Sequence, residues 1–361
     1  MELIPGLPST TTLTTPAQLM EAGLISHGER EGVESVAARY AIALTPAVAS
    51  LIDTTNPDDP IARQYVPDPR ELTIAPEELA DPIGDHAHSP VEGIVHRYPD
   101  RVLLKAVHVC PVYCRFCFRR EMVGPQGDGT LSGAALEAAI GYIAGHPEIW
   151  EVIVTGGDPL VLSPRRLKAM MQALGAIAHV KIIRFHSRVP VADPDRVDAA
   201  LIDALSASGK TVYVAVHANH PRELTPKALA ATAALAASGV TLVSQTVLLA
   251  GVNDDAAVLA ELMRRFVENR IRPYYLHHPD LAPGTGHFRL SIEEGRALVA
   301  RLRSRVSGLC MPAYVLDIPG GHGKVQLSQS PVNRQGNGSY AIEDRSGVVH
   351  AYSADGAGTA D

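Results

Sequence analysis

Cys110-Pro-Val-Tyr-Cys114-Arg-Phe-Cys117-Phe-Arg119-Arg120 holds three of the chain's four cysteines, all within eight residues. Thiols this close together cannot staple distant parts of a fold, and three exceed a redox pair, so the stretch reads as a set of metal ligands. Structural zinc takes four closed protein ligands, but the usual second pair at knuckle spacing is missing and Cys310 lies far along the chain. A zinc clip completed by His108 or a remoter histidine stays open as the plainer alternative. An iron-sulfur cube takes one cysteine per iron, so three cysteines leave one iron free for a substrate or cofactor.

Around this loop the chain is regular. Apolar, β-rich runs recur at Val102 to Val109, Val152 to Thr155, Lys181 to Phe185, Thr211 to Val216, Thr241 to Val247, Pro273 to Leu276 and Ala313 to Leu316. Helical patterns lie between them: Leu136, Ile140 and Ile143 form one stripe, and Asn253 is expected to cap a helix with Leu259, Leu262, Met263 and Phe266 on its inner face. Such alternation predicts an α/β fold of about six parallel βα units, a partial TIM barrel one strand short of the eight that close a full one. Cys110, Gly156-Gly157-Asp158, His186, Arg188, His217, Gln245, His277, Asp280 and Asp317 all fall at or just past the C-terminal ends of these strands. In a barrel those ends converge on one ligand-binding mouth; an open doubly wound sheet also binds there, so the phase favours a barrel without proving it. Read singly, His217 and Gln245 are ordinary hydrogen-bonding residues, and Gly156-Gly157 a tight turn.

Residues 1–95 have a different texture. Thr15-Pro16 starts a helix carrying Leu19, Met20 and Leu24, a second helix is expected from about Val33 to Leu44, and prolines then crowd in at 57, 60, 67, 69, 76, 82 and 90. This predicts a helical and irregular region that wraps and covers a larger body, residues 96–325, without supplying catalytic groups. Residues 326–361 form a short tail, in which Tyr340 to Glu343 and Val348 to Tyr352 are expected to pair as a hairpin.

The chain has 361 residues, 46% hydrophobic and 20% charged, with a net charge of −7. That balance suits a soluble globular enzyme and lacks the basic surplus of a nucleic-acid binder. The N-terminus shows no basic region followed by an apolar core, and the charge-free stretch between Lys227 and Asp254 is broken by Ser238-Gly239 and Ser244-Gln245-Thr246. The reading is a helix followed by a strand, no membrane span, and a cytoplasmic protein whose thiols stay reduced.

Near the end, Asp317-Ile-Pro-Gly-Gly-His-Gly-Lys324 is not a Walker loop, whose first glycine would fall at Ile318 and whose Ser/Thr at Val325. A lysine held on a glycine hinge suits a Schiff base with pyridoxal phosphate (PLP), although a lone loop lysine is more often simply solvated.

The Cys-x3-Cys-x2-Cys spacing, with an aromatic residue before the last cysteine, resembles the signature of radical S-adenosylmethionine (SAM) enzymes, where SAM chelates the fourth iron. Thr155-Gly-Gly-Asp158 resembles the turn whose backbone carbonyls bind the SAM amino group. A longer ordered series resembles the lysine 2,3-aminomutase family from about residue 65 to residue 325: His96-Arg-Tyr-Pro-Asp-Arg101-Val, Cys110 to Arg120, His217-Ala-Asn-His-Pro221, Gln245-Thr-Val-Leu-Leu, Tyr274-Tyr-Leu-His-His-Pro-Asp280, Gly286-His-Phe-Arg289 and Asp317 to Lys324.

That resemblance implies a 4Fe-4S cluster on Cys110, Cys114 and Cys117. It implies SAM at Gly156, Gly157, Asp158, His217 and Gln245, and PLP on Lys324 with Arg97 and Arg101 near its phosphate. Arg119 would pair with the substrate α-carboxylate, and Asp280 and Asp317 with a distant ammonium. The implied reaction is 1,2-amino migration converting L-lysine to β-lysine, started by a 5'-deoxyadenosyl radical and fed by a one-electron donor such as flavodoxin or ferredoxin. Two relatives stay open, a supplier of β-lysine for elongation factor P and a glutamate aminomutase. A non-catalytic iron-sulfur carrier is the reading from another class. Members that hold structural zinc use a cysteine near Asp255 and a C-terminal cysteine cluster; this chain has neither, so zinc is not carried over, and a homo-oligomer is left open.

Overall fold

The computed structural model describes residues 11–123, 129–328, 332–335, 340–343 and 348–352. All seven apolar runs are strands: β2 (Arg101–Val107), β3 (Glu151–Gly156), β4 (Ile182–Ser187), β5 (Thr211–His217), β6 (Thr241–Val247), β7 (Ile271–His277) and β8 (Ala313–Ile318). They pair in chain order, every neighbour parallel. Two short antiparallel strands that the sequence reading did not anticipate finish the sheet, β1 (Ile94–Tyr98) on β2 and β9 (Gly323–Gln326) on β8. The Tyr98 hydroxyl accepts the Lys324 backbone N–H at 2.8 Å, tying β1 to β9 across the seam of the nearly closed barrel.

Each crossover between parallel strands carries a helix: Gly133–Ala144, Pro164–Gly175, Ala199–Ser206, Pro226–Ala237, Ala256–Glu268 and Ile292–Arg305. These are the six expected βα units. Side chains of Ser132, Ser163, Asp198, Thr225, Asp255 and Ser291 each accept a backbone N–H at the helix start, a contact worth about 1 kcal/mol apiece. Asp255 therefore replaces the expected Asn253 as a cap. The buried Asn253 amide is spent elsewhere: it accepts from Leu249 N and donates to the Asn219 and Val247 carbonyls, fixing the loop behind β6. Leu259, Leu262, Met263 and Phe266 do line the buried face of that helix. The charge-free stretch divides into the helix Pro226–Ala237 and β6, and among the described residues no helix is long and apolar enough to cross a membrane.

Ahead of the barrel, Thr15 caps the helix Pro16–Glu21 with a reciprocal capping box. The second helix is Arg30–Ala37, so it begins earlier and ends sooner than expected. Leu44 instead bridges Leu13, and Pro46 holds Thr45 extended, which keeps a helix from running through that stretch. Leu19, Val33, Ile61 and Tyr65 form one core with Val112 and Ala192 of the barrel loops.

This region also does more than pack. Glu71, fully buried, receives the Arg115 guanidinium at 2.6 Å and pairs with Arg120, clamping two of the three arginines of the cysteine loop. Removing one partner from a buried ion pair strands the other charges and costs about 3 to 5 kcal/mol. Glu71→Gln should lower the urea unfolding free energy of the cofactor-free protein by that amount; a loss under about 1 kcal/mol would show that the loop holds without the clamp.

In the tail, β11 (Tyr340–Glu343) pairs antiparallel with β12 (Val349–Tyr352); residues 344–347 between them lie outside the described residues. A third strand, β10 (Val332–Arg334), joins β11.

Candidate active site

A cavity of about 460 Å³ opens at the strand ends, and every residue to which the resemblance gives a cofactor or substrate role lines it. Its first wall is the loop after β2. Tyr113 N donates to the Ala43 carbonyl and Arg115 N to the Gln64 carbonyl, so the N-terminal region holds the loop by its backbone as well as by Glu71. Burial pushes the Cys114 thiol up to about 12, raises Cys110 well above its ordinary value, and raises Cys117 against the pull of Arg119 and Arg120. Such thiols give up their protons readily only to a metal. Among the described residues no three His, Cys, Asp or Glu side chains converge as ligands of a single ion would. A cluster fits these cysteines, because each thiolate binds a different iron.

The second wall is the turn after β3. Gly156 has φ +108, and a Cβ there would collide with the Val107 carbonyl oxygen; one on Gly157 would strike that of Val109. Only glycine lets this backbone lie against β2. The Asp158 carboxylate accepts from Ser187 Oγ at 2.8 Å, Arg188 N at 2.6 Å, and Leu160 and Val189 N at 3.1 Å. Its acceptors are spent pinning β3 to β4, which leaves the turn's backbone rather than this side chain to meet a ligand.

A polar chain runs around the mouth from β5 to β9. His217 Nε2 lies 3.0 Å from Gln245 Oε1, and Gln245 Nε2 lies 2.9 Å from His277 Nε2. Asp317 Oδ2 faces His277 Nδ1 at 3.7 Å, which favours a proton on Nδ1. His277 Nε2 is then the acceptor, Gln245 its donor, and His217 the donor to Gln245. Burial, aided by Arg188, lowers His217 to about 3, and burial also lowers His277, so both rings are neutral. Lys324 closes the chain with Nζ 2.9 Å from Asp317 Oδ1. The two are direct partners across β8 and β9, so sheet register builds this ion pair. Burial would raise Asp317, but His277 and the Lys324 ammonium outweigh it and hold the carboxylate far below its usual range. At Asp280 the balance is reversed: burial and the neighbouring Asp317 outweigh Lys324, Arg119 and Arg97 and push it up to about 7.

Arginines complete the cavity. Arg119 donates through Nε and Nη2 to Asp85 Oδ2, at 3.2 and 2.8 Å. Arg97 donates to the Ile83 carbonyl at 2.5 Å and to Asp85 Oδ1 at 3.3 Å, while its buried Nε has no partner among the described residues. Arg101 pairs with Asp100 at 2.6 Å and stacks on Tyr98, 3.8 Å from the ring centroid. The two arginines therefore engage different acids instead of forming a joint fork. The orphaned Arg97 Nε is a donor that a phosphate would satisfy, and Lys324 and Arg101 line the same cavity, so the residues present fit PLP.

Sequence reasoning missed Asp85, Tyr98 as the seam bridge, and the Arg188 anchor, in which Arg188 Nη1 meets Glu223 Oε1 at 2.8 Å. It noted His277 at a strand end without giving it a role. Only the tight spacing of Tyr98, Arg97 and Arg101 in one hairpin could have pointed to the bridge.

A model of the radical SAM superfamily matches residues 104–263. L-lysine 2,3-aminomutase from Clostridium subterminale is 39% identical over 325 residues, which cover 90% of this chain and 78% of that protein. The chain belongs to the lysine 2,3-aminomutase family. L-lysine 2,3-aminomutase from Acetoanaerobium sticklandii is 40% identical over 90% of the chain and 78% of its own length. Glutamate 2,3-aminomutase from Clostridioides difficile is 36% identical, over 83% of the chain and 70% of its own length. As a lysine 2,3-aminomutase family member, the chain is an isomerase that uses a 4Fe-4S cluster, SAM and PLP. A radical SAM methyltransferase from Sphaerobacter thermophilus is a more distant likeness, 21% identical with a TM-score of 0.43 over 62% of this chain and 68% of that one.

Proposed function

We propose that this enzyme moves the α-amino group of L-lysine to the β-carbon, giving β-lysine. The observation that carries the reading is the meeting of three cysteines, an arginine, two carboxylates and Lys324 in one cavity. Held by Cys110, Cys114 and Cys117, the cluster with SAM would supply a carbon radical, and PLP on Lys324 would supply an electron sink beside nitrogen.

The chain's own residues place the substrate. Arg119 takes the α-carboxylate; Asp280 and Asp317 take the side-chain ammonium. Asp317 is paired with the Lys324 ammonium at 2.9 Å, so a substrate ammonium would reach Asp317 by taking the place of that partner. Cys110, Cys114 and Cys117 hold the cluster, the Gly156-Gly157-Asp158 turn and the His217–Gln245 pair line the SAM side, and Arg97 with Arg101 hold the phosphate. Buried strand ends exclude water from the reacting atoms. Two carboxylates facing the distal end disfavour glutamate, despite the glutamate-specific relative. A small one-electron carrier of the flavodoxin or ferredoxin type in the cytoplasm is the reductant we assign.

Lysine binding should strengthen as pH rises from 6 to 8. Asp280 lies near 7, so its ionised fraction, the form that attracts an ammonium, rises about tenfold over that range. The dissociation constant should fall correspondingly in wild type and stay flat in Asp280→Asn; a flat wild-type profile would remove Asp280 from ammonium recognition. The function itself is tested by anaerobic reconstitution: PLP absorbance that responds to lysine, beside a cluster signal that responds to SAM, distinguishes this enzyme from an electron carrier, which would show only a cluster.

A further inference from the structure

One buried carboxylate joins two arginines to which the proposed function gives separate tasks. Asp85 Oδ2 accepts from Nε and Nη2 of Arg119, and Asp85 Oδ1 accepts from Arg97 Nη2. Both arginines and the aspartate are largely buried, with side chains 9%, 9% and 3% exposed. Lys105, buried on β2, lies within electrostatic reach of the same carboxylate. The same cations also face other carboxylates: Asp317 lies 3.9 Å from Arg97 Nη1, Asp280 is within electrostatic reach of Arg97 and Arg119, and Asp81 of Lys105. Without Asp85 the two guanidinium groups would repel each other in a poorly solvated space.

A guanidinium has two forked edges for a carboxylate, Nε with Nη2 and Nη1 with Nη2. Asp85 occupies the first edge of Arg119. Nη1 makes no hydrogen bond among the described residues, and Arg119 lines the cavity. A substrate carboxylate is thereby directed to the Nη1 side.

Asp85 is built to stay in place. Its N–H donates to Asp81 Oδ1 at 2.8 Å, the His86 N–H donates to Asp81 Oδ2 at 2.9 Å, and Ser89 Oγ donates to the Asp85 carbonyl at 2.8 Å. Gly84, at φ +68, lies so close to the Gly320–Gly321 backbone that a Cβ would collide with it, and His88 Nε2 is 3.2 Å from the Gly321 carbonyl. The segment is thus locked to the glycine loop that carries Lys324.

We propose that Asp85 is a positioning residue for substrate recognition: it fixes Arg119 with its Nη1 edge open to the substrate α-carboxylate and ties it to the phosphate-side Arg97. The inference rests on the proposed contact between Arg119 and that carboxylate. Two effects oppose each other when Asp85 is lost: the field on an incoming carboxylate becomes more favourable, while Arg119 loses its fixed rotamer and its spacing from Arg97. In a buried, preorganised site the loss of orientation dominates.

The test uses cluster- and PLP-loaded protein without SAM, so that no turnover occurs, and follows the PLP absorbance during titration with lysine or with lysinamide, which lacks the carboxylate. Asp85→Ala should raise the dissociation constant for lysine by about 10- to 100-fold, as for a lost hydrogen bond to a charged group, and change lysinamide binding little. Asp85→Asn, which keeps one acceptor and the shape, should fall between wild type and Asp85→Ala. In an Arg119→Ala background the effect of Asp85→Ala should vanish. Equal weakening of both ligands would make Asp85 merely structural, and tighter lysine binding in either variant would make it a competitor for Arg119; each overturns the proposal. If wild type does not distinguish lysine from lysinamide, the Arg119 contact itself fails and this inference falls with it. If wild type distinguishes them and Asp85→Ala still does so equally well, only the inference fails.

Discussion

Lys324→Ala should abolish retention of PLP and reduce β-lysine formation below detection, while the cluster absorbance and its response to SAM should remain. The reason is local. Lys324 follows Gly320, Gly321 and Gly323, all at positive φ, which let the chain reverse from β8 into β9 and set Lys324 opposite Asp317. Among the described residues no other lysine lines the cavity. The cysteine loop is held from the other side by Glu71, so the cluster has no structural dependence on Lys324. Lys324→Arg serves as the folding control, because it keeps a cation beside Asp317 but cannot form the covalent link. Borohydride trapping and peptide mapping give the check; a pyridoxyl group recovered on another lysine would remove Lys324 from the mechanism.

Asp317→Asn should reduce kcat/KM for lysine by two orders of magnitude or more. Asp317 is buried and charged, and the loss of one partner from a desolvated charge pair costs about 3 to 5 kcal/mol. Because Asp317 also meets Lys324, part of any loss will fall on every substrate. The informative quantity is the ratio of lysine to alanine, since alanine lacks the distal ammonium. A ratio that drops sharply supports ammonium recognition, while equal losses on both would reduce Asp317 to a partner of Lys324.

The barrel was legible because its signals are local and periodic: each strand is an apolar run, each polar residue falls at the same phase, and three cysteines in eight residues admit few explanations. What stayed hidden depends on distance along the chain. Glu71 and Asp85 sit in a proline-rich stretch with no periodic pattern, and their arginine partners lie 12 to 49 residues downstream. The edge strands β1 and β9 are short and carry charged residues, so they lack the apolar run that marks β2 to β8. Asn253 and Asp255 are two good caps two residues apart, and only the buried partners of the Asn253 amide decide between them. Residues 38–44 read as helix from composition, yet the Leu13–Leu44 bridge overrides that tendency.

The reaction is tested most directly with lysine carrying deuterium at the β-carbon, incubated anaerobically with reconstituted protein, SAM and a reductant. The account predicts β-lysine as product, with deuterium appearing in 5'-deoxyadenosine and returning to the α-carbon of β-lysine. SAM cleavage without label in 5'-deoxyadenosine, or label transfer without movement of the amino group, would contradict it.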